Sequence, residues 1–165
     1  MNHKRKITIY ELLYPTNKMR VTPFHLAIIA QQPEIVHLIL KSVIQFSNTP
    51  VESIKKLLKK KTKIFFAKGE SPEIYFKDDR SLDGNNSFHL AARFHGKSLL
   101  TIVKFLRNEN LMDSLMDLLD VSDPHMGKKP LHMAARSPSS LPLSILLLCG
   151  VSVEAKVEPI SKLKP

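Results

Sequence analysis

A six-residue phrase is written three times in this chain: TPFHLA at residues 22–27, NSFHLA at 86–91 and KPLHMA at 129–134. Such a recurrence constrains the fold strongly, because a repeated unit too small to bury its own apolar face has to stack on its neighbours. Aligned on His25, His89 and His132, the copies share more than the phrase. In the third, Ala134 and Ala135 form a small pair, Leu143 lies 11 residues past the histidine, Leu146 and Leu147 lie 14 and 15 past it, and Gly150 lies 18 past it. The first copy runs in the same register with Ala27, Val36, Ile39 and Leu40. This spacing predicts two short helices joined by a turn, the first built of small residues and the second carrying an apolar stripe.

Each part of the phrase has a local task. Thr22 is suited to cap a helix, and Pro23 to take its first position, where a missing N–H costs nothing. Small Ala27, Ala91 and Ala134 let neighbouring helices approach closely. The phrase resembles the T-P-L-H-x-A signature of the ankyrin repeat, a unit of about 33 residues. That resemblance implies an all-α solenoid of helix-turn-helix hairpins, with His25, His89 and His132 as structural residues that tie one repeat to the next. Histidines distributed along a stack do not converge on one ion, so no metal site is expected.

On this reading residues 1–165 are one ankyrin-repeat domain, with repeats at 15–47, 82–110 and 121–156 and a basic insertion or degenerate repeat at 48–81. The uneven gaps, 64 residues from His25 to His89 and 43 from His89 to His132, are what call for that middle segment. The family's Gly-His turn is replaced by Gln31-Gln32, His95-Gly96 and Pro138-Ser139 in the three copies. Val103-Lys104 stands where two leucines are usual, which predicts a slipped or poorly packed outer helix in the second copy.

The middle segment reads NTPVESIKKLLKKKTKIFFAKGESPEIYFKDDRS. Asn48 or Thr49, Pro50 and Glu52 make a helix start. Ile54, Leu57 and Leu58 form a narrow apolar stripe, and Lys55, Lys56, Lys59, Lys60, Lys61 and Lys63 surround it. KIFFA and EIYF, either side of Gly69 and Pro72, pair as a hairpin or pack on the stack. Three readings of the lysines stay open: a solvated face, a nuclear-localisation or nucleic-acid patch drawing on phosphate attraction, and a contact with an anionic membrane surface. The net charge of +10 favours the last two without choosing between them.

Other classes find little support. A single cysteine, Cys149, forms no internal disulfide, which suits a reducing compartment, cytoplasm or nucleus. LPLSILLLCGVSV at 141–153 is too short and too interrupted to span a bilayer, and the basic N-terminus lacks a signal-peptide core. Gly-rich phosphate loops, H-E-x-x-H, metal-spaced cysteine pairs and G-x-S-x-G do not occur. Asp113, Asp117 and Asp120 alternate with leucines as in an ordinary amphipathic helix. No catalysis, cofactor or small-molecule substrate is expected.

A narrower resemblance lies in two stretches. VTPFHLAIIAQQPEIVHLIL, residues 21–40, is similar to a repeat of the inhibitor of NF-κB family, and residues 118–157 resemble a later repeat in the ankyrin region of NF-κB precursor and Relish-type proteins. The resemblance implies a protein–protein interaction module that binds and regulates a Rel-homology transcription factor in signal transduction and innate immunity. Its contacts would come from the hairpin tips: Asn17, Lys18 and Arg20, then Asp83 and Asn85, then His125 and Lys128. The alternatives are a generic ankyrin scaffold or adaptor, the cytosolic arm of a channel, or a nucleic-acid or anionic-membrane binder acting through the lysine helix.

Overall fold

Proline sets where several of the helices begin. Pro23, Pro33, Pro50 and Pro130 each open a helix at the position whose N–H has no intrahelical partner. The computed structural model describes residues 21–62, 84–94 and 96–157. In chain order the helices are α1 (Pro23–Ile29), α2 (Pro33–Phe46), α3 (Pro50–Lys59), α4 (Ser87–Arg93), α5 (Lys97–Asn108), α6 (Met112–Leu115), α7 (Pro130–Ala134) and α8 (Leu141–Leu148). A 3₁₀ turn at Met116–Leu119 continues α6. The protein is helical, and no strand occurs among the described residues.

The helices pair in sequence and then layer. α1 packs on α2, α4 on α5 and α7 on α8, giving three hairpins. The short helices touch in the order α1, α4, α7, and the longer ones in the order α2, α5, α8, so the hairpins lie side by side in two layers. The middle hairpin is covered on both flanks. Phe88, Leu90, Ala91, Ala92, Leu99, Ile102 and Leu106 are all fully buried. Ala91 and Ala92 leave α4 without bulk, which lets it contact both α1 and α7. At the two ends of the stack the same kinds of residue face solvent, Leu26, Ile35 and Leu38 in the first hairpin and Leu147 and Leu148 in the last.

The register of the second helices differs from expectation. Counted from each histidine, the buried residues of α5 (Leu99, Ile102, Val103, Leu106) and of α8 (Pro142, Ile145, Leu146, Cys149) fall at the same steps. Those of α2 (Val36, Ile39, Leu40, Val43) fall one residue later. The second copy is therefore well packed, with Val103 buried and Lys104 in solvent, and the first copy is the one out of step. Leu147, aligned with Leu40 in the sequence, is partly exposed as a result.

Helix ends use one repeated device. After α1, the Gln31 N–H donates to the Ile28 carbonyl at 3.0 Å and the Gln32 N–H to the Ala27 carbonyl at 2.9 Å. The same pair of bonds closes α5 at Asn110 and Leu111 and α8 at Gly150 and Val151. The pivot residue is left-handed in each case, with φ of 55° at Gln31 and Asn110 and 82° at Gly150. Glutamine is the least suited of the three to that conformation. Gln31→Gly is expected to raise stability by about 0.5 kcal/mol, since relief of about 1–2 kcal/mol at a left-handed side chain exceeds the roughly 0.5–1 kcal/mol of backbone entropy that glycine gives up. Urea denaturation at neutral pH measures the difference.

Candidate functional site

The three repeat histidines sit at the third position of α1, α4 and α7 and turn back on their own caps. Thr22 Oγ1 accepts the His25 N–H at 3.2 Å, while His25 Nδ1 accepts the Thr22 N–H at 3.3 Å. Asn86 Oδ1 accepts the N–H groups of Phe88 and His89 at 3.0 and 3.1 Å, and His89 Nδ1 accepts the Asn86 N–H at 3.4 Å. His132 Nδ1 accepts the Lys129 N–H at 3.0 Å. With Nδ1 an acceptor, the neutral His25 ring carries its proton on Nε2, while His89 Nδ1 also lies 2.7 Å from Asn86 Oδ1. His25 donates that proton to the Lys60 carbonyl at 3.1 Å, and His89 to the Lys128 carbonyl at 3.0 Å. One hairpin is thus bonded to the loop that leads into the next.

Burial keeps the His25 and His89 rings neutral. Desolvation pulls His25 from 6.5 down to about 4, against the hydrogen bond to the Lys60 carbonyl, and the Lys60 charge pulls the same way. For His89 desolvation again dominates and the value is again about 4, opposed by the Lys128 carbonyl and the Asp123 carboxylate and assisted by the Lys61 charge. His132, in the last described hairpin, is only half-buried.

Two loops run along one edge of the stack, and both are closed in one way. The Thr62 N–H donates to the Asn85 carbonyl at 3.0 Å and the Gly84 N–H to the Thr62 carbonyl at 2.9 Å. In the next loop the Asp123 N–H donates to the Lys128 carbonyl at 2.8 Å and the Gly127 N–H to the Asp123 carbonyl at 3.1 Å. Thr62 and Asp123 are counterparts, as are Gly84 and Gly127, both left-handed. Residues 63–83 then stand where the later loop has only Pro124, His125 and Met126. Most of the excess length between the first two histidines lies between Thr62 and Gly84, and α3 comes before that stretch as α6 and its 3₁₀ turn come before the second loop. The loops also touch: a Cβ on Gly84 would lie 2.4 Å from the Pro124 ring.

The second loop is organised by a buried carboxylate. Asp123 accepts the N–H groups of His125 and Met126 on Oδ1, at 3.0 and 2.6 Å, and that of Lys128 on Oδ2 at 2.8 Å. Asp123→Ala is expected to cost about 2–4 kcal/mol, because three donors lose a charged acceptor while water reaches the loop to replace part of it. Thermal unfolding with Asp123→Asn as the partial replacement checks this.

The sequence-predicted contact residues divide accordingly. His125 is exposed and Lys128 half-buried on the second loop, side by side on the edge. Asn85 is buried, its carbonyl held by the backbone and hydroxyl of Thr62, and a residue so enclosed offers a partner no surface. It leaves the contact set. Asn17, Lys18, Arg20 and Asp83 lie outside the described residues, as do Lys63 and the KIFFA and EIYF segments. Of the lysines on and after α3, Lys56, Lys59 and Lys61 are exposed and Lys55 and Lys60 half-buried, while Ile54, Leu57 and Leu58 are fully enclosed against α2 and α4.

Cys149 is buried at the end of α8 with Arg107 Nη2 at 3.9 Å from its sulfur; burial pushes the thiol above its ordinary range and Arg107 opposes the shift. Among the described residues, no three His, Cys, Asp or Glu side chains group to hold a metal ion, and no helix is long and apolar enough to cross a membrane. Thr62 and Asp123 were not singled out from sequence; Asp123-Pro124 carried a turn signal, whereas the pairing of Thr62 across 21 residues left no local trace. No protein-family model matches this chain, and no curated protein or solved structure matches it significantly.

Proposed function

We propose that the chain is an ankyrin-type repeat module that binds a protein partner along its loop edge, without catalysis of its own. The observation that carries this reading is the bond from a buried histidine in one hairpin to the loop entering the next, made by His25 to Lys60 and by His89 to Lys128. It holds successive loops in a fixed row, and a rigid row of loops presents side chains to a partner at little entropic cost. His125 and Lys128, on the loop that Asp123 organises, are the described residues best placed for contact.

The partner class rests on the residues themselves. Stretches 21–40 and 118–157 resemble inhibitor of NF-κB and NF-κB precursor repeats, so the partner is a Rel-homology domain and the module regulates it in cytoplasm or nucleus. Capture of purified Rel-homology domains on the immobilised full chain tests this, with an unrelated immunoglobulin-fold domain as control. Retention of the Rel domain, reduced at least tenfold by the pair His125→Ala and Lys128→Glu, is the expected result. Equal retention of the control, or none of either, refutes the partner assignment.

A further inference from the structure

We infer that the exposed side of α3, continued by Lys60 and Lys61, is a nucleic-acid backbone binding surface. The inference does not depend on the protein partner proposed above. It starts from what α3 does with its two faces. Ile54, Leu57 and Leu58 are buried to within 1% and lock the helix between α2 and α4. Lys55, Lys56 and Lys59 are left on the outside, and the chain then passes Lys60 and Lys61 along the loop edge. The histidine bonds align this edge, since His25 holds the Lys60 carbonyl and His89 the Lys128 carbonyl. Lys61 lies near enough to His89 for its charge to act on the ring. Five lysines therefore lie on the outer side of α3 and the two residues that follow its end.

Among the described residues, Asp120 and Asp123, before and within the second loop, are engaged elsewhere. Asp123 is buried and bonded to three backbone N–H groups. Asp120 is paired to Lys129 at 2.9 Å. Glu52, exposed on the first turn of α3, lies three and four residues before Lys55 and Lys56 on the same side of the helix. Lys55, Lys59 and Lys61 make no ion pair among the described residues.

Three kinds of polyanion compete for such a strip, and the structure separates them. An interfacial membrane helix needs its apolar face free to enter the headgroup region, and here that face is inside the protein. A protein interface is built around aromatic, methionine and arginine anchors and is depleted in lysine, whereas the strip is all lysine, with Val51 the only exposed large apolar residue on α3. A sequence-independent phosphate contact needs only point charges in a row, and gains its free energy by releasing condensed counterions. The surface fits the backbone of nucleic acid and lacks the means to read bases.

The test uses the full chain and fluorescence anisotropy with a labelled random 20-base-pair duplex between 50 and 200 mM salt. Each phosphate neutralised contributes about −0.9 to the slope of log affinity against log salt, so a slope of roughly −3 to −4 is expected. Replacing Lys55, Lys56, Lys59 and Lys61 by Gln should reduce that slope by about three and weaken binding at 50 mM roughly 100-fold. Replacing Lys41, Lys97, Lys104 and Lys156 removes the same charge away from the strip and should leave most of the affinity. If the four-residue variant melts early, the exposed pair Lys59→Gln and Lys61→Gln should still lower the slope by about one to two. The inference is overturned if both four-lysine variants lose equally, if the slope is unchanged, or if the wild-type chain does not bind duplex at 50 mM salt. It is overturned also if polyglutamate or phosphatidylserine vesicles of matched charge bind more tightly than the duplex.

Discussion

Between pH 7 and pH 4 the protein is expected to lose about 6 kcal/mol of stability through two side chains, roughly 3 kcal/mol each from His25 and His89. Both have a folded-state pKa of about 4 against 6.5 when exposed, so the unfolded chain takes up their protons first. Their contribution is complete above pH 6.5, declines as pH falls below it and is exhausted near pH 4. At His25 the bonds suit a neutral ring, since Nδ1 accepts a backbone N–H while Nε2 donates to a carbonyl, and at His89 burial favours the neutral form. Urea melts from pH 7 to pH 4 measure the effect, and His25→Gln with His89→Gln isolates it. That double variant is expected to be less stable at pH 7 and much less sensitive to acid. Parallel pH profiles for the two proteins would show that the histidines are not the titrating groups.

Phe88→Ala is expected to cost about 3–5 kcal/mol, the usual loss for a large aromatic removed from a closed core. Phe88 is fully buried in α4, between the hairpins on either side, so no end of the stack can relax into the space. Leu146→Ala, in α8 of the last described hairpin, belongs nearer the lower part of the 2–5 kcal/mol range for such changes. Lys59→Ala, exposed on α3, should stay within about 0.5 kcal/mol. Thermal unfolding of the three variants ranks them, and an equal loss for Phe88→Ala and Lys59→Ala would mean that the buried and exposed faces have been exchanged.

The helical class was legible because it is written in local terms. Proline at the first helical position, Thr22 or Asn86 three residues before a histidine, and apolar residues three and four apart all act within one or two turns of chain. What misled was information that only packing supplies. Residues 48–81 read as a basic insertion or degenerate repeat from the histidine spacing, and within them Ile54, Leu57 and Leu58 decide where α3 goes, because burying three aliphatic side chains outweighs solvating a lysine face that can remain in water. Val103-Lys104 looked like a register fault because two leucines are usual there, whereas α2 is the helix that departs from the other two. Asn85 read as a tip residue from the family resemblance. Its burial follows from the bridge to Thr62, a pairing between residues 23 apart in sequence that no local pattern announces.

The proposal that the loop edge is the binding surface is tested most directly by hydrogen exchange of the full chain with and without a Rel-homology domain. Protection is expected at residues 123–129, around His125 and Lys128, with the amides on the outer sides of α2 and α5 unchanged. Protection confined to α2 and α5, or exchange identical in the two samples at saturating partner, would contradict it.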